Sequence, residues 1–245
     1  MTGREWVEFD VMNGRARESL KERVNSKRYG ARTVLVNAMR VLAFVTGVTT
    51  AAATQGETPP KRLLVLGDSL TAGYGLDARD AFPARLEAAL KAQGAAVAVI
   101  GAGVSGDTTA GGRTRLAWAL ASAGAKGPDA VIVELGANDG LRGLEPAATE
   151  ANLDAILTNL KEQGVPTMLA GMLAPPNLGR EYGTEFNAIY PRLAERHGVL
   201  LYPFFLDGVA AERALNQDDG IHPNAKGVEE IVRRILPYVK KLLGV

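Results

Sequence analysis

Short apolar segments alternate with amphipathic ones throughout residues 61–245. The run Lys61–Gly67 (KRLLVLG) ends in glycine and is typical of a strand buried on both faces, and residues 82–93 then place apolar side chains at helical spacing. The alternation continues and predicts strands at 97–100, 129–135, 165–170 and 199–202 and helices at 109–122, 146–163, 181–196 and 224–243. Strands covered on both faces by intervening helices predict an α/β fold, a three-layer α/β/α sandwich around a five-stranded parallel sheet.

Residues 1–59 follow a different pattern and are predicted to form an N-terminal leader outside this fold. Arg40, the apolar run Val41–Val48 and the small residues Ala51 and Ala53 are similar to the three regions of a secretory signal peptide, at about 39–53. The apolar run is too short for a stable membrane span, which needs about 20 residues. A disordered basic leader and an amphipathic anchor are the alternative interpretations.

Met39 stands directly before Arg40, so translation is predicted to begin there, and the residues before it are an over-extension of the reading frame. The protein is then expected to be periplasmic or secreted. Residues 60–245 are predicted to form a single domain, since no repeat and no linker interrupts them.

Composition excludes several classes of function. The chain has 28 Lys and Arg against 27 Asp and Glu, so its formal charge of +1 provides no basic field for nucleic acid. Cysteine is absent, which excludes thiol catalysis, disulfides and thiolate metal sites. Only two histidines occur. His197 ends a predicted helix before Gly198 and is expected at the surface, whereas His222 lies in a polar loop and is the candidate base.

Ligands of parallel α/β sheets bind outside the carboxyl ends of the strands, so the residues after each predicted strand are informative. Ser69 follows the first strand, Gly106 the second and Asn138 the third. Asp219 and His222 lie between the fifth strand and the last helix. A nucleophile, an amide and an Asp-x-x-His pair are therefore expected to converge on one rim of the sheet.

The segments GDSLTAGYG, VSGDTT, ELGANDGLRG and DDGIHPN resemble, in order and spacing, the four sequence blocks of the SGNH (GDSL-type) hydrolase family. The resemblance covers nearly all of residues 61–245 and is strongest to the bacterial branch of arylesterases and multifunctional acyl-CoA thioesterase–lysophospholipases. It implies a flavodoxin-like sheet, a triad of Ser69, Asp219 and His222, and an oxyanion hole made by Ser69, Gly106 and Asn138. It also implies ester hydrolysis through an acyl-serine intermediate, without a cofactor.

The residues support this chemistry independently of the resemblance. A serine hydroxyl becomes a good nucleophile when a neighbouring base takes its proton, and imidazole suits that task near neutral pH. Asp219 precedes His222 by three residues and has the spacing to orient the ring, whereas Asp218 is one residue too far and is interpreted as a loop residue. The plainer interpretation makes Ser69 a helix cap, Gly106 and Asn138 turn residues, and His222 the start of the last helix.

Two other kinds of site are weaker interpretations of the same segments. The glycines at 101, 103 and 106 imitate a dinucleotide-binding fingerprint, but no acidic residue follows about 20 positions later at the end of the next strand. Asp219 and His222 provide only two ligands for a metal ion, and a two-ligand site binds weakly. Neither a metal nor a cofactor is expected.

The segments 141–144 and 172–179 are largely apolar and are predicted to line an acyl pocket. The candidate substrate-binding residues are Asp68, Leu141, Leu144 and Pro175, although hydrogen bonds within its own loop are the favoured interpretation of Asp68.

The expected substrates are small molecules: aryl esters, short- to medium-chain acyl esters, and acyl thioesters or lysophospholipids. One alternative is a carbohydrate O-acetyl esterase, which would need more aromatic stacking residues than the 6% found here. The other is a non-catalytic lipid- or glycan-binding module, which would not need Ser69, Asp219 and His222 together.

Overall fold

A computed structural model describes residues 59–245, so the predicted leader and signal peptide lie outside the described residues. The described residues all belong to one compact unit. Among them, no helix combines the length and the apolar character that crossing a bilayer requires.

Five strands form one parallel sheet in the order β2-β1-β3-β4-β5. They are β1 (Lys61–Gly67), β2 (Val97–Gly103), β3 (Ala130–Glu134), β4 (Thr167–Ala170) and β5 (Leu200–Tyr202). The apolar side chains of β1 and β3 are fully buried because helices cover both faces of the central strands. The predicted five-stranded parallel α/β fold is confirmed, and its strand order is the flavodoxin-like one.

Eight α-helices occur within residues 59–245. They are α1 (Ser69–Ala72), α2 (Phe82–Ala92), α3 (Thr109–Thr114), α4 (Leu116–Ser122), α5 (Ala137–Leu141), α6 (Pro146–Glu162), α7 (Arg180–His197) and α8 (Ala225–Leu243). Helix α2 packs against α8, whereas α6 packs against α3 and α7.

Helix α8 shows why these segments fold as they do. Its buried residues recur at spacings of three and four, which gives one apolar stripe against the sheet: Val228, Ile231, Val232, Ile235, Leu236, Val239 and Leu243. The side chain of Asn224 caps the first turn by accepting hydrogen bonds from the backbone N–H groups of Lys226 and Gly227. Gly244 ends the helix in the left-handed conformation, with φ +65°. The start of α8 is therefore firmly placed beside the loop that carries His222.

The structure differs from the predicted elements at two places near the site. Strand β2 continues to Gly103 because every residue from 97 to 103 pairs with β1, whereas the strand was predicted to end at residue 100. The single helix predicted at 109–122 is two helices that meet at Arg115. The guanidinium of Arg115 donates to the carbonyl groups of Gly67 and Ala102, and so ties the ends of β1 and β2 together.

Candidate active site

The strand order reverses between β1 and β3, and this switch point is where open α/β sheets bind ligands. Ser69 is the first residue of α1, directly after β1, and Asn138 lies in α5, directly after β3. The two side chains line one cavity together with His222, which comes from the loop before α8. The structure therefore places these three predicted residues on one rim.

Ser69, His222 and Asp219 form a continuous hydrogen-bonded series. The Nε2 atom of His222 lies 3.0 Å from the Oγ atom of Ser69, and its Nδ1 atom lies 2.6 Å from an oxygen of Asp219. Ser69 is 9% exposed, so the nucleophile reaches the cavity and is otherwise enclosed. This geometry suits proton transfer from the hydroxyl to the imidazole.

Asp219 is held in its ionised form. Its Oδ1 atom accepts hydrogen bonds from the backbone N–H groups of His222 and Ile221, and its Oδ2 atom contacts the His222 ring. The backbone and ring hydrogen bonds from His222, with that from Ile221, lower the pKa of Asp219 to about 2. The carboxylate therefore keeps the proton of His222 on Nδ1 and leaves Nε2 free to accept from Ser69.

Two residues that the sequence analysis missed position the histidine. The ring of Tyr74 lies against that of His222, with centroids 4.6 Å apart. The side chain of Gln217 donates to the carbonyl groups of Tyr74 and Pro223, at 2.7 and 3.0 Å. These contacts join the histidine loop to the segment after Ser69. The contacts of Tyr74 join it to residues at least 143 positions away in sequence, so no local pattern could have indicated them.

The two other predicted oxyanion donors lie on neighbouring loops. Gly106 adopts φ +85°, a left-handed conformation that favours glycine. A guanidinium nitrogen of Arg142, another residue that the sequence analysis missed, donates to the Gly106 carbonyl at 2.8 Å. The side-chain nitrogen of Asn138 donates to the carbonyl of Asp107 at 2.9 Å and to the carboxylate of Asp68 at 3.1 Å. Asn138 thus joins the loops after β1, β2 and β3.

The assignment of Asp68 to substrate binding is corrected by the structure. Its side chain is fully buried, caps α1 through Leu70, and accepts the hydrogen bond from Asn138, so no surface remains for a substrate. Burial raises the pKa of Asp68 from its ordinary 3.8 to about 6. Glu134 lies fully buried at the end of β3, opposite Gly67, and burial raises its pKa well above the usual range.

Stability is expected to depend on the ionisation of Asp68. Because the folded chain holds this proton more tightly than the unfolded chain, the free energy of unfolding falls as pH rises from about 4 through 6. The loss amounts to about 3 kcal/mol, from a shift of about two pKa units. Urea unfolding of the wild type and Asp68→Asn across this range tests it, and the difference between the two proteins should move in favour of the variant as pH rises. A pH-independent difference would contradict it.

The cavity beside Ser69 has a volume of about 450 Å³ and a largely apolar wall. Of the predicted substrate-binding residues, Leu141 and Pro175 line it. Leu144 does not: it lies outside the cavity, where its carbonyl accepts a hydrogen bond from Tyr182, and its assignment is corrected. Further walls come from the segments after β4 and β5, including Leu173 and Phe204.

The second histidine lies away from this cavity. His197 ends α7 and hydrogen-bonds the carboxylate of Asp154 at 2.8 Å, with a side chain only 7% exposed. The residue as a whole is only partly exposed, because this hydrogen bond and the neighbouring side chains cover the ring. Within residues 59–245, no cluster of three or more His, Asp or Glu side chains is arranged to hold a metal ion.

Known proteins that are similar to this chain agree with a hydrolase site of this kind. Residues 65–229 match the GDSL-like lipase/acylhydrolase family. The chain belongs to the GDSL (SGNH) hydrolase family. An arylesterase of Vibrio mimicus is 41% identical over 185 residues, which cover 76% of this chain and 90% of that protein. The thioesterase 1/protease 1/lysophospholipase L1 of Escherichia coli K12 is 44% identical over 162 residues, which cover 66% of this chain and 75% of that protein.

Among solved structures, the SGNH-hydrolase family esterase AlinE4 is 49% identical with a TM-score of 0.64, over 76% of this chain and 98% of AlinE4. These relatives and the family match identify this SGNH hydrolase as a serine esterase, a carboxylic ester hydrolase.

Proposed function

We propose that this SGNH hydrolase cleaves aryl esters and short- to medium-chain acyl esters, and acyl thioesters of similar chain length, through an acyl-enzyme on Ser69. The observation that carries the proposal is the series Asp219–His222–Ser69, with distances of 2.6 and 3.0 Å, which opens into an apolar cavity of about 450 Å³. The names of the arylesterase and thioesterase relatives support aryl esters and acyl thioesters as substrate classes.

The reaction begins when the Oγ atom of Ser69 attacks the acyl carbon and its proton moves to Nε2 of His222. The carbonyl π electrons move to the oxygen, and the backbone N–H groups of Ser69 and Gly106 and the amide of Asn138 stabilise the resulting oxyanion. Collapse of the tetrahedral intermediate breaks the bond to the leaving alcohol or thiol, which takes the proton from His222.

Water then attacks the acyl-serine, and His222 accepts one of its protons. The second tetrahedral intermediate collapses, releases the carboxylic acid and returns the proton to Ser69. Asp219 stays ionised in both halves and stabilises the imidazolium that forms in each, since the hydrogen bonds from His222 and Ile221 lower its pKa to about 2. All of the steps use groups of this chain, the ester and water.

Leu173→Ala tests where the acyl chain binds. Leu173 lines the cavity and is 45% exposed, so its loss removes apolar contact from a long chain but not from an acetyl group. We expect the ratio of kcat/KM for p-nitrophenyl octanoate to that for p-nitrophenyl acetate to fall about 5-fold, which corresponds to a loss of about 1 kcal/mol of apolar contact.

Leu144→Ala is the matched control, because Leu144 is similarly exposed, at 38%, and lies outside the cavity. This variant should keep the wild-type ratio within about 2-fold, a change of less than about 0.5 kcal/mol. Equal losses on both esters in Leu173→Ala, or a changed ratio in Leu144→Ala, would place the acyl chain elsewhere.

We further propose that the protein is exported to the periplasm or secreted. The support is the pattern of Arg40, the apolar run Val41–Val48 and the small residues Ala51 and Ala53. N-terminal sequencing of the extracytoplasmic fraction tests it, and a product that still begins at Met1 or Met39 would contradict cleavage.

A further inference from the structure

Both hydrogens of the Asn138 carboxamide have acceptors. The nitrogen donates to Oδ2 of Asp68 at 3.1 Å and to the carbonyl oxygen of Asp107 at 2.9 Å. Neither acceptor can be satisfied by the oxygen end of the carboxamide, so together they select the orientation in which the NH2 group faces the loops of Ser69 and Gly106. Asn138 lines the cavity beside Ser69, and its orientation therefore decides whether the oxyanion meets a donor or an acceptor.

The carboxylate of Asp68 can fix that orientation by accepting a hydrogen bond, but its buried side chain cannot contact a substrate. Its side chain is fully buried. One carboxylate oxygen accepts the backbone N–H of Leu70 at 3.0 Å and the other accepts the side chain of Asn138. An ionised carboxylate only accepts hydrogen bonds, so a rotated Asn138 would bring its oxygen against another oxygen. The bond to Asn138 is the part of this arrangement that capping α1 does not need.

We propose that Asp68 is a positioning residue for ester hydrolysis: it holds the carboxamide of Asn138 with its NH2 group towards the oxyanion. The inference rests on the proposed oxyanion role of Asn138. In the tetrahedral intermediate, the oxyanion shares one of the two N–H groups that Asp68 and Asp107 orient in the substrate-free protein. Asp68 therefore acts on the transition state and leaves ground-state binding of the ester unchanged.

Asp68→Asn separates this role from helix capping. Asparagine is as good an N-cap as aspartate, so its oxygen keeps the bond to Leu70. Its NH2 group then faces the NH2 group of Asn138, and two donors cannot bond. The variant retains the shape and the cap and loses the acceptor for Asn138. Asp68→Ser, which also caps α1 but is one atom shorter, is the second variant and carries the same expectation if the asparagine variant does not fold.

The experiment is a double-mutant cycle on p-nitrophenyl butyrate with the wild type, Asp68→Asn, Asn138→Ala and the double variant. We expect kcat to fall about 10- to 100-fold in Asp68→Asn, with KM within about 2-fold, and about 10²- to 10³-fold in Asn138→Ala. The double variant should match Asn138→Ala within about 3-fold, because without the carboxamide Asp68 has nothing left to orient.

Losses that multiply in the double variant would show that Asp68 acts independently of Asn138, and would overturn the inference. A higher KM with unchanged kcat in Asp68→Asn would also overturn it, since that would mean a role in substrate binding. If Asn138→Ala retained the wild-type kcat, Asn138 would not be an oxyanion donor, and Asp68 could not act by orienting it. Failure of the proposed function itself is seen separately, as turnover that survives replacement of Ser69.

Discussion

Ser69→Ala is expected to lower kcat for p-nitrophenyl butyrate by at least about 10⁴-fold while the protein stays folded. The hydroxyl lies 3.0 Å from Nε2 of His222, and alanine leaves no group that can form the acyl-enzyme. The remaining rate would come from binding and from the oxyanion donors acting on attack by water. Steady-state turnover measures the loss, and mass spectrometry of the protein mixed with the ester should show the acyl adduct on the wild type only.

Ser122→Ala is the matched control, because Ser122 lies at the end of α4 and its hydroxyl donates to the carbonyl of Ala119. This variant makes the same chemical change outside the cavity and should retain kcat within about 2-fold, a change of less than about 0.5 kcal/mol in the barrier. A Ser69→Ala protein with a tenth or more of the wild-type turnover would mean that the ester is cleaved by another group.

The course of the chain was predictable where the signal is local. Short apolar runs predicted all five strands, because the central strands are buried on both faces and are therefore largely apolar. The break at Arg115 was not predictable from the local pattern; the guanidinium there bonds to the carbonyl groups of Gly67 and Ala102, which lie on two strands far away in sequence. Strand β2 was also predicted too short, because its last residues, Gly101 and Gly103, are held in the strand by pairing with β1 and not by their own side chains.

The site also combines features that are local in the sequence with features that are not. The spacing of Asp219 and His222 is a local property, and so is the position of Ser69 at a strand end, and the structure places all three within hydrogen-bond reach in series. The burial of a side chain, by contrast, depends on residues that are distant in the sequence. Asp68 precedes Ser69 and was a candidate for substrate contact, although hydrogen bonds within its own loop were favoured; it is fully buried and bonded to Leu70 and Asn138. A residue's position beside a nucleophile therefore does not tell which way its side chain points.

Asp219→Asn is expected to lower kcat by about 10²- to 10⁴-fold near neutral pH. The asparagine oxygen can still accept from the backbone of Ile221 and His222, but its NH2 group then faces Nδ1 of the ring. The ring must carry its proton on Nε2, which leaves no acceptor for the proton of Ser69. The wide range reflects the 38% exposure of the Asp219 side chain, which lets water replace part of the lost contact. Measuring kcat of both proteins as a function of pH gives the loss.

Asp218→Asn controls for charge, because it removes one carboxylate from the adjacent, exposed position. If Asp219 acts only through the local electric field, the two variants should lose activity to a similar degree. If it acts by orienting the ring, Asp218→Asn should keep kcat within about 2-fold while Asp219→Asn does not. The second result is expected, since the backbone and ring contacts converge on Asp219, whose pKa they lower to about 2. A larger loss in Asp218→Asn would mean that the histidine takes its orientation from the other aspartate.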